Sequence, residues 1–142
     1  MVKRAIESLG NDYLLVRIGP PVGDSITFNN VDEITLNEIY NACDLLYFPT
    51  LMEGFGNPVI EAFKTGLPVV SSDIDIIQEV SSGAAILVDP ENLQENIKAI
   101  KEIMEDKDSL IENGYNVSKK YSKDIVRQRL MDYYKGIIDS SQ

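Results

Sequence analysis

The chain has 142 residues, of which 44% are hydrophobic and 25% charged, with a formal net charge of −10 and no histidine. That length suits one domain burying roughly two-thirds of its unfolded surface, and the acidic balance excludes nucleic acid and anionic membranes as long-range partners. Without histidine there is no imidazole base, no usual zinc ligand and no histidine-dependent nucleophile, so carboxylates, backbone dipoles, Lys/Arg or the substrate must carry any chemistry.

In chain order, residues 2–9 predict a helix ending near Gly10. Leu14–Ile18 is a short run rich in branched residues, stopped by Gly19-Pro20-Pro21, and Ile26–Phe28 is a weaker strand. Leu36–Ala42 predicts a helix with Thr35 as its N-cap, followed by a strand at Leu45–Phe48 that Pro49 closes. Between them lies Cys43, expected as a small buried side chain rather than a reactive thiol. A lone cysteine also fits a reducing compartment.

The segment 56–66 has the clearest local grammar. Asn57 suits the N-cap, Pro58 the first helical position, and Gly66 a positive-φ ending. Leu67–Ser71 then reads as a buried strand, Ile74–Val80 as a short helix and Ala85–Val88 as another strand. Asp89-Pro90 restarts a helix to about Glu105, with Leu93, Ile97, Ile100 and Met104 on one stripe. Asp108 caps a further helix through Ser118, and Ser122 a last one through about Ile138. No apolar run approaches the ~18 residues a membrane helix needs, and no signal-peptide pattern opens the chain. A cytoplasmic location without membrane insertion is therefore expected.

The strands read as continuous apolar runs, which predicts a parallel sheet covered on both faces. Alternation with helices makes the class α/β, a doubly wound, Rossmann-like single domain over residues 1–142. Ligands bind such sheets at the carboxyl ends of the strands. There the run Met52-Glu53-Gly54-Phe55-Gly56-Asn57-Pro58-Val59-Ile60-Glu61-Ala62 leaves a strand and opens a helix. Two glycines let the backbone pass close to a ligand. The helix start adds unpaired N–H donors and about half a positive charge, suited to a phosphate or a sugar oxygen. Glu61 would project from the first helical turn and Glu53 from the loop, and two carboxylates beside amide donors suit a polyhydroxyl ligand carrying phosphate. Each feature alone has an ordinary structural explanation: a glutamate near a helix start complements the dipole, and a glycine-rich turn is usually a turn.

The run from Tyr40-Asn41-Ala42-Cys43-Asp44 through Pro49-Thr50, Glu53-Gly54-Phe55-Gly56, Glu61-Ala62, Gly66-Leu67-Pro68-Val69-Val70 and Ser71-Ser72-Asp73 resembles the large family of retaining GT-B glycosyltransferases. That family carries two glutamates separated by seven residues, as Glu53 and Glu61 are. The resemblance continues through Glu79, Gly83, Leu87-Val88, Pro90 and Tyr121-Ser122. It implies the C-terminal, nucleotide-sugar-binding domain of a two-domain enzyme that transfers a sugar, with retention, from a nucleotide diphosphate sugar to an acceptor hydroxyl. No cofactor and no metal are implied. Glu61 would bind the ribose, and Glu53 would contact the transferred sugar as the catalytic-site carboxylate. Gly54, Phe55, Gly56 and Asn57 would line the donor pocket, with the Val59 amide able to face the diphosphate. Pro49, Pro68, Val69, Val70 and Tyr121 are expected to serve packing.

Three departures from the family pattern stand out. The family's basic Arg and Lys come from a loop after its first strand, and both that loop and that strand, central in the family's sheet, are missing here, as in a domain truncated at its N-terminus. Lys3 and Arg4 read as solvated helix residues rather than replacements. The two glycines usual after Ser71-Ser72-Asp73 are Ile74 and Asp75. The chain alone is therefore expected to be inactive and to need an N-terminal acceptor-binding domain or subunit. The rival reading is a non-catalytic nucleotide-sugar-binding or assembly module that pairs with a separate subunit or a second copy of itself. A phosphoacceptor receiver domain would need an acidic cluster after its first strand and a lysine ending its fifth, and neither is placed here.

Overall fold

The computed structural model describes residues 1–105 and 107–140. The elements run α1 (Val2–Leu9), β1 (Val16–Ile18), β2 (Ile26–Phe28), α2 (Glu33–Ala42), β3 (Leu46–Phe48), α3 (Asn57–Thr65), β4 (Val69–Ser72), α4 (Asp75–Ser81), β5 (Ile86–Val88), α5 (Leu93–Glu105), α6 (Asp108–Lys119) and α7 (Lys123–Asp139). The expected alternation is present, and every strand pair is parallel.

The strands form two sheets rather than one. β3, β4 and β5 lie side by side in that order, while β1 pairs with β2 separately, Val16 opposite Ile26 and Ile18 opposite Phe28. β1 and β3 do not pair, so the direct pairing of these strands that the resemblance left open, with its first strand absent, does not form and the sheet is divided there. Only residues 19–25 connect β1 to β2, with no helix among them. Parallel strands ordinarily need a crossover of a dozen residues or more. Here the strands are three residues long, so the return path is about 10 Å and a short loop covers it. The pair keeps much of its apolar surface in water, with Leu14, Ile18 and Ile26 exposed.

The three-stranded sheet is covered on both faces. On one side Val69 packs with Val59, Ile60, Ala62 and Phe63 of α3, Ile77 and Val80 of α4 and Val117 of α6. On the other, Val70 and Val88 pack with Leu9 of α1 and Ala99, Ile100 and Ile103 of α5. The α3–α6 contact is close because Gly114 leaves room for the Phe63 ring: a Cβ there would stand 2.7 Å from Phe63 Cδ1. Fully burying such a ring contributes about 2–3 kcal/mol.

Helix starts differ from the sequence expectations for identifiable reasons. α2 is capped by Asp32, whose Oδ1 accepts from the Thr35 amide at 2.8 Å, so Thr35 lies inside the helix instead of capping it. These bonds hold the Asp32 carboxyl below its ordinary pKa. α3 begins at Asn57 with Gly56 as its N-cap, in left-handed conformation (φ 89°, ψ 39°), and Asn57 makes no capping bond. Asp108 is likewise inside α6, with Lys107 at the cap. α5 starts at Leu93 instead of Asp89-Pro90, because Asp89 Oδ1 accepts from the Glu91 amide in a turn and Asn92 Oδ1 accepts from Glu95. Ser122 caps α7 as expected, accepting from Ile125.

The buried face of α5 is also rotated from the predicted stripe. Its centre is Asn96, Ala99, Ile100 and Ile103, while Met104 is exposed. Asn96 is fully buried because its amide is satisfied: Oδ1 accepts from the Tyr47 hydroxyl at 2.8 Å, and Nδ2 donates to the Asp89 and Asn92 carbonyls at 2.7 Å. α7 differs in kind from the other long helices. None of its residues is buried, and Leu130, Met131, Tyr133, Tyr134 and Ile138 are each at least half exposed. No helix among the described residues is long and apolar enough to cross a membrane.

Candidate functional site

β3 and β4 run parallel, so the loop after Phe48 and the residues after Ser72 open at the same carboxyl edge of the sheet. The loop from Pro49 to Gly56 is anchored at its start by Thr50, whose amide donates to the Phe48 carbonyl and whose hydroxyl donates to the Met52 carbonyl. Ser71 Oγ donates to the Phe48 carbonyl at 2.9 Å and ties the end of β3 to β4.

The two loop glycines have different surroundings. Gly56 has positive φ, and a Cβ on it would stand 2.8 Å from Ile77 Cδ1 and 4.0 Å from Glu53 Cγ. Only glycine meets both constraints. Gly54 has no neighbour within 4 Å of such an atom and no left-handed backbone. Nothing in the fold requires glycine there.

Glu53 is half-buried beside Gly56, and its Oε1 accepts from the Gly54 amide at 3.0 Å. Phe55 is exposed at the loop's end and meets Tyr121 edge to face, ring centroids 5.6 Å apart. Among the described residues, the amides of Phe55, Gly56 and Asn57 have no hydrogen-bond partner. Val59 is placed otherwise: its side chain is fully buried and its amide donates to the Gly56 carbonyl at 3.0 Å. It supports the helix start and presents neither group to the loop.

Glu61 is the fifth residue of α3, so it leaves the second turn instead of the expected first. It is half-buried, and its Oε2 accepts from the Tyr40 hydroxyl at 3.0 Å. Neither glutamate takes part in an ion pair among the described residues, where the single pair is Lys3–Glu7 at 3.8 Å. That pair and the exposure of Arg4 make both cations solvated residues of α1, as expected. Burial and the Glu61 charge push the Tyr40 phenol well above its ordinary pKa, so it stays protonated as a neutral donor. Cys43 is half-buried against the core, and burial, with the Asp44 charge, raises its thiol. That favours the unreactive protonated form.

After β4, Asp73 Oδ1 accepts from Gln78 Nε2 at 2.6 Å. Ile74 and Asp75 stand where the resemblance implied two glycines, and Ile77 from the same segment closes against Gly56. Surface depressions along α5, at Gln94, Lys98 and Glu105, and beside α6, at Asn113 and Lys120, do not involve the loop. No cluster of three or more metal-ligating side chains occurs among the described residues.

Three contributors were not assigned a site role from the sequence. Tyr40 stands 21 positions before its partner Glu61, and only the packing of α2 on α3 joins them. Tyr121 lies 66 positions after Phe55, and Ile77 meets Gly56 from another helix. Tyr40 and Tyr121 belong to the family-like pattern, but no local spacing tells what either touches.

A family model described as Glycosyl transferases group 1 matches residues 11–106, more than half of the chain. The chain belongs to that family. Similar proteins include the O-antigen chain mannosyltransferase RfbU of Salmonella typhimurium, 34% identical over 108 residues, which cover 74% of this chain and 30% of that protein. The lipopolysaccharide core biosynthesis mannosyltransferase LpsB of Rhizobium meliloti is 31% identical over 88 residues, covering 59% of this chain and 25% of that one. A sucrose-phosphate synthase from Thermosynechococcus elongatus shares the fold with a TM-score of 0.79 at 20% identity, over 97% of this chain and 42% of its own. This group 1 domain thus spans under a third of the length of either mannosyltransferase, and its architecture is that of a GT-B glycosyltransferase domain.

Proposed function

We propose that this domain is the donor-binding half of a retaining glycosyltransferase, which moves a sugar from a nucleotide diphosphate sugar to an acceptor hydroxyl. The observation that carries the reading is the loop between β3 and α3. It sets a half-buried carboxylate, Glu53, and three unpartnered amides at the carboxyl edge of a parallel sheet, with Glu61 one turn further along the helix. The amides of Phe55, Gly56 and Asn57 would donate to the sugar and diphosphate oxygens, helped by the positive end of α3. Glu61 would accept from the ribose hydroxyls and Glu53 from those of the transferred sugar. Gly54 would let the donor lie against the backbone.

The chemical task is to stabilise charge developing on the leaving diphosphate. With no histidine in the chain, same-face attack with the leaving phosphate taking the acceptor proton suits these residues, and it calls on no metal. Acceptor binding and water exclusion would come from an N-terminal half or a separate subunit, so the domain by itself would bind donor in the cytoplasm without turning it over. An assembly module with the same ligand is the second reading, and the bare surface of α7 favours a partner in either case.

Titration of the purified chain with UDP, GDP and ADP and their sugars, followed by calorimetry, tests the reading. A charged hydrogen bond of the Glu61 kind contributes ~1.5–3 kcal/mol, so Glu61→Ala should weaken nucleotide binding roughly ten- to a hundred-fold. Equal affinity in both proteins would reject the ribose assignment.

A further inference from the structure

The bond between Tyr40 and Glu61 is the contact at this site that joins two helices through side chains alone. Tyr40 comes from the last turn of α2, where its ring packs against the core beside Cys43 and Leu46. Its hydroxyl reaches across to α3 and donates to Glu61 Oε2 at 3.0 Å. Glu61 makes no other side-chain hydrogen bond among the described residues, and none of their cations pairs with it. A glutamate has several rotamers, and freezing one on binding weakens affinity. A carboxylate already held through one oxygen keeps its second oxygen oriented and free to accept.

We propose that Tyr40 is a positioning residue for the donor: its hydroxyl holds the Glu61 carboxylate in the orientation that receives the ribose hydroxyls. The inference rests on the ribose role given to Glu61 above. The phenol's neutrality fits the task, because a donor that stays protonated neither repels the carboxylate nor exchanges its role with it. Its ring is fixed by packing independent of the hydroxyl, so Tyr40→Phe removes the hydrogen bond and keeps the core.

The test is a double-mutant cycle on the full chain, with calorimetric titration of UDP, GDP and ADP and of their 2′,3′-dideoxy counterparts. Tyr40→Phe should weaken the ribonucleotide roughly three- to ten-fold and leave the already weak dideoxynucleotide unchanged. In a Glu61→Ala background it should have no further effect. A merely structural tyrosine would lower both nucleotides alike and add to Glu61→Ala, and either result overturns the proposal. So does a Tyr40→Phe protein that binds like wild type while Glu61→Ala binds weakly, an outcome that leaves the donor-binding reading intact. If wild type binds none of the nucleotides, or Glu61→Ala binds like wild type, the ribose assignment fails and this inference fails with it.

Discussion

Gly54 and Gly56 look equivalent in the sequence, and coordinates separate them. Gly56 combines left-handed φ with a side chain's worth of space already taken by Ile77. Gly56→Ala should therefore destabilise the fold by about 1–3 kcal/mol, read as a lower urea midpoint. Gly54→Ala should leave that midpoint where it is, since nothing crowds the position. If the donor passes close to the loop backbone, the same variant should lose nucleotide-sugar affinity, and a Gly54→Ala protein with wild-type binding would rule out close approach of the donor at Gly54. The sequence showed that a glycine-rich turn precedes a helix. It did not show which glycine serves the fold, because that depends on Ile77, twenty-one positions further on. The misplaced cap has a similar cause. Asn57 has the right chemistry, but Gly56 makes the turn by backbone conformation alone.

At the level of elements, the alternation of strand and helix was legible because each apolar run is bounded by glycine, proline or a polar cap. What could not be read was the face each helix buries. The α5 stripe chosen on hydrophobicity omits Asn96, which is at its centre because Tyr47 and Asp89 satisfy its amide. Tyr47 gives this network a dependence on pH. Burial pushes its phenol from 10 up to about 12. A raised acid favours the fold while protonated, so its contribution is intact below pH 10 and is lost as the pH climbs toward 12. Tyr40 is raised in the same direction. Stability measured by urea midpoint should fall between pH 10 and 12, and Tyr47→Phe should shrink that fall while costing about 1 kcal/mol at neutral pH. An unchanged alkaline slope in the variant would show that Tyr47 ionises freely in the folded chain.

For the molecule as a whole, the fold class followed from composition and pattern, and the family from the residues between Tyr40 and Asp73. The division into two sheets was only half legible. The resemblance implied that a central strand is absent and left open whether β1 and β3 pair directly, and residues 10–18 carry no signal that decides it. α7 shows the same limit. Its capping serine and helical length were evident, but a helix pattern says nothing about whether another surface is there to receive it.

The detached pair of strands has a consequence for how this protein opens. β1 and β2 are three residues each, joined by a short loop, with Ile18 and Ile26 of the pair and the neighbouring Leu14 exposed, whereas β4 is buried from end to end. Cooperative units with little covered surface unfold locally well below the global free energy. In deuterium labelling, the amides bonded between β1 and β2 should exchange through local fluctuation, insensitive to low concentrations of denaturant. Those of Val69 and Val70 should wait for complete unfolding. Equal protection in both sheets would mean that the molecule breathes as one body.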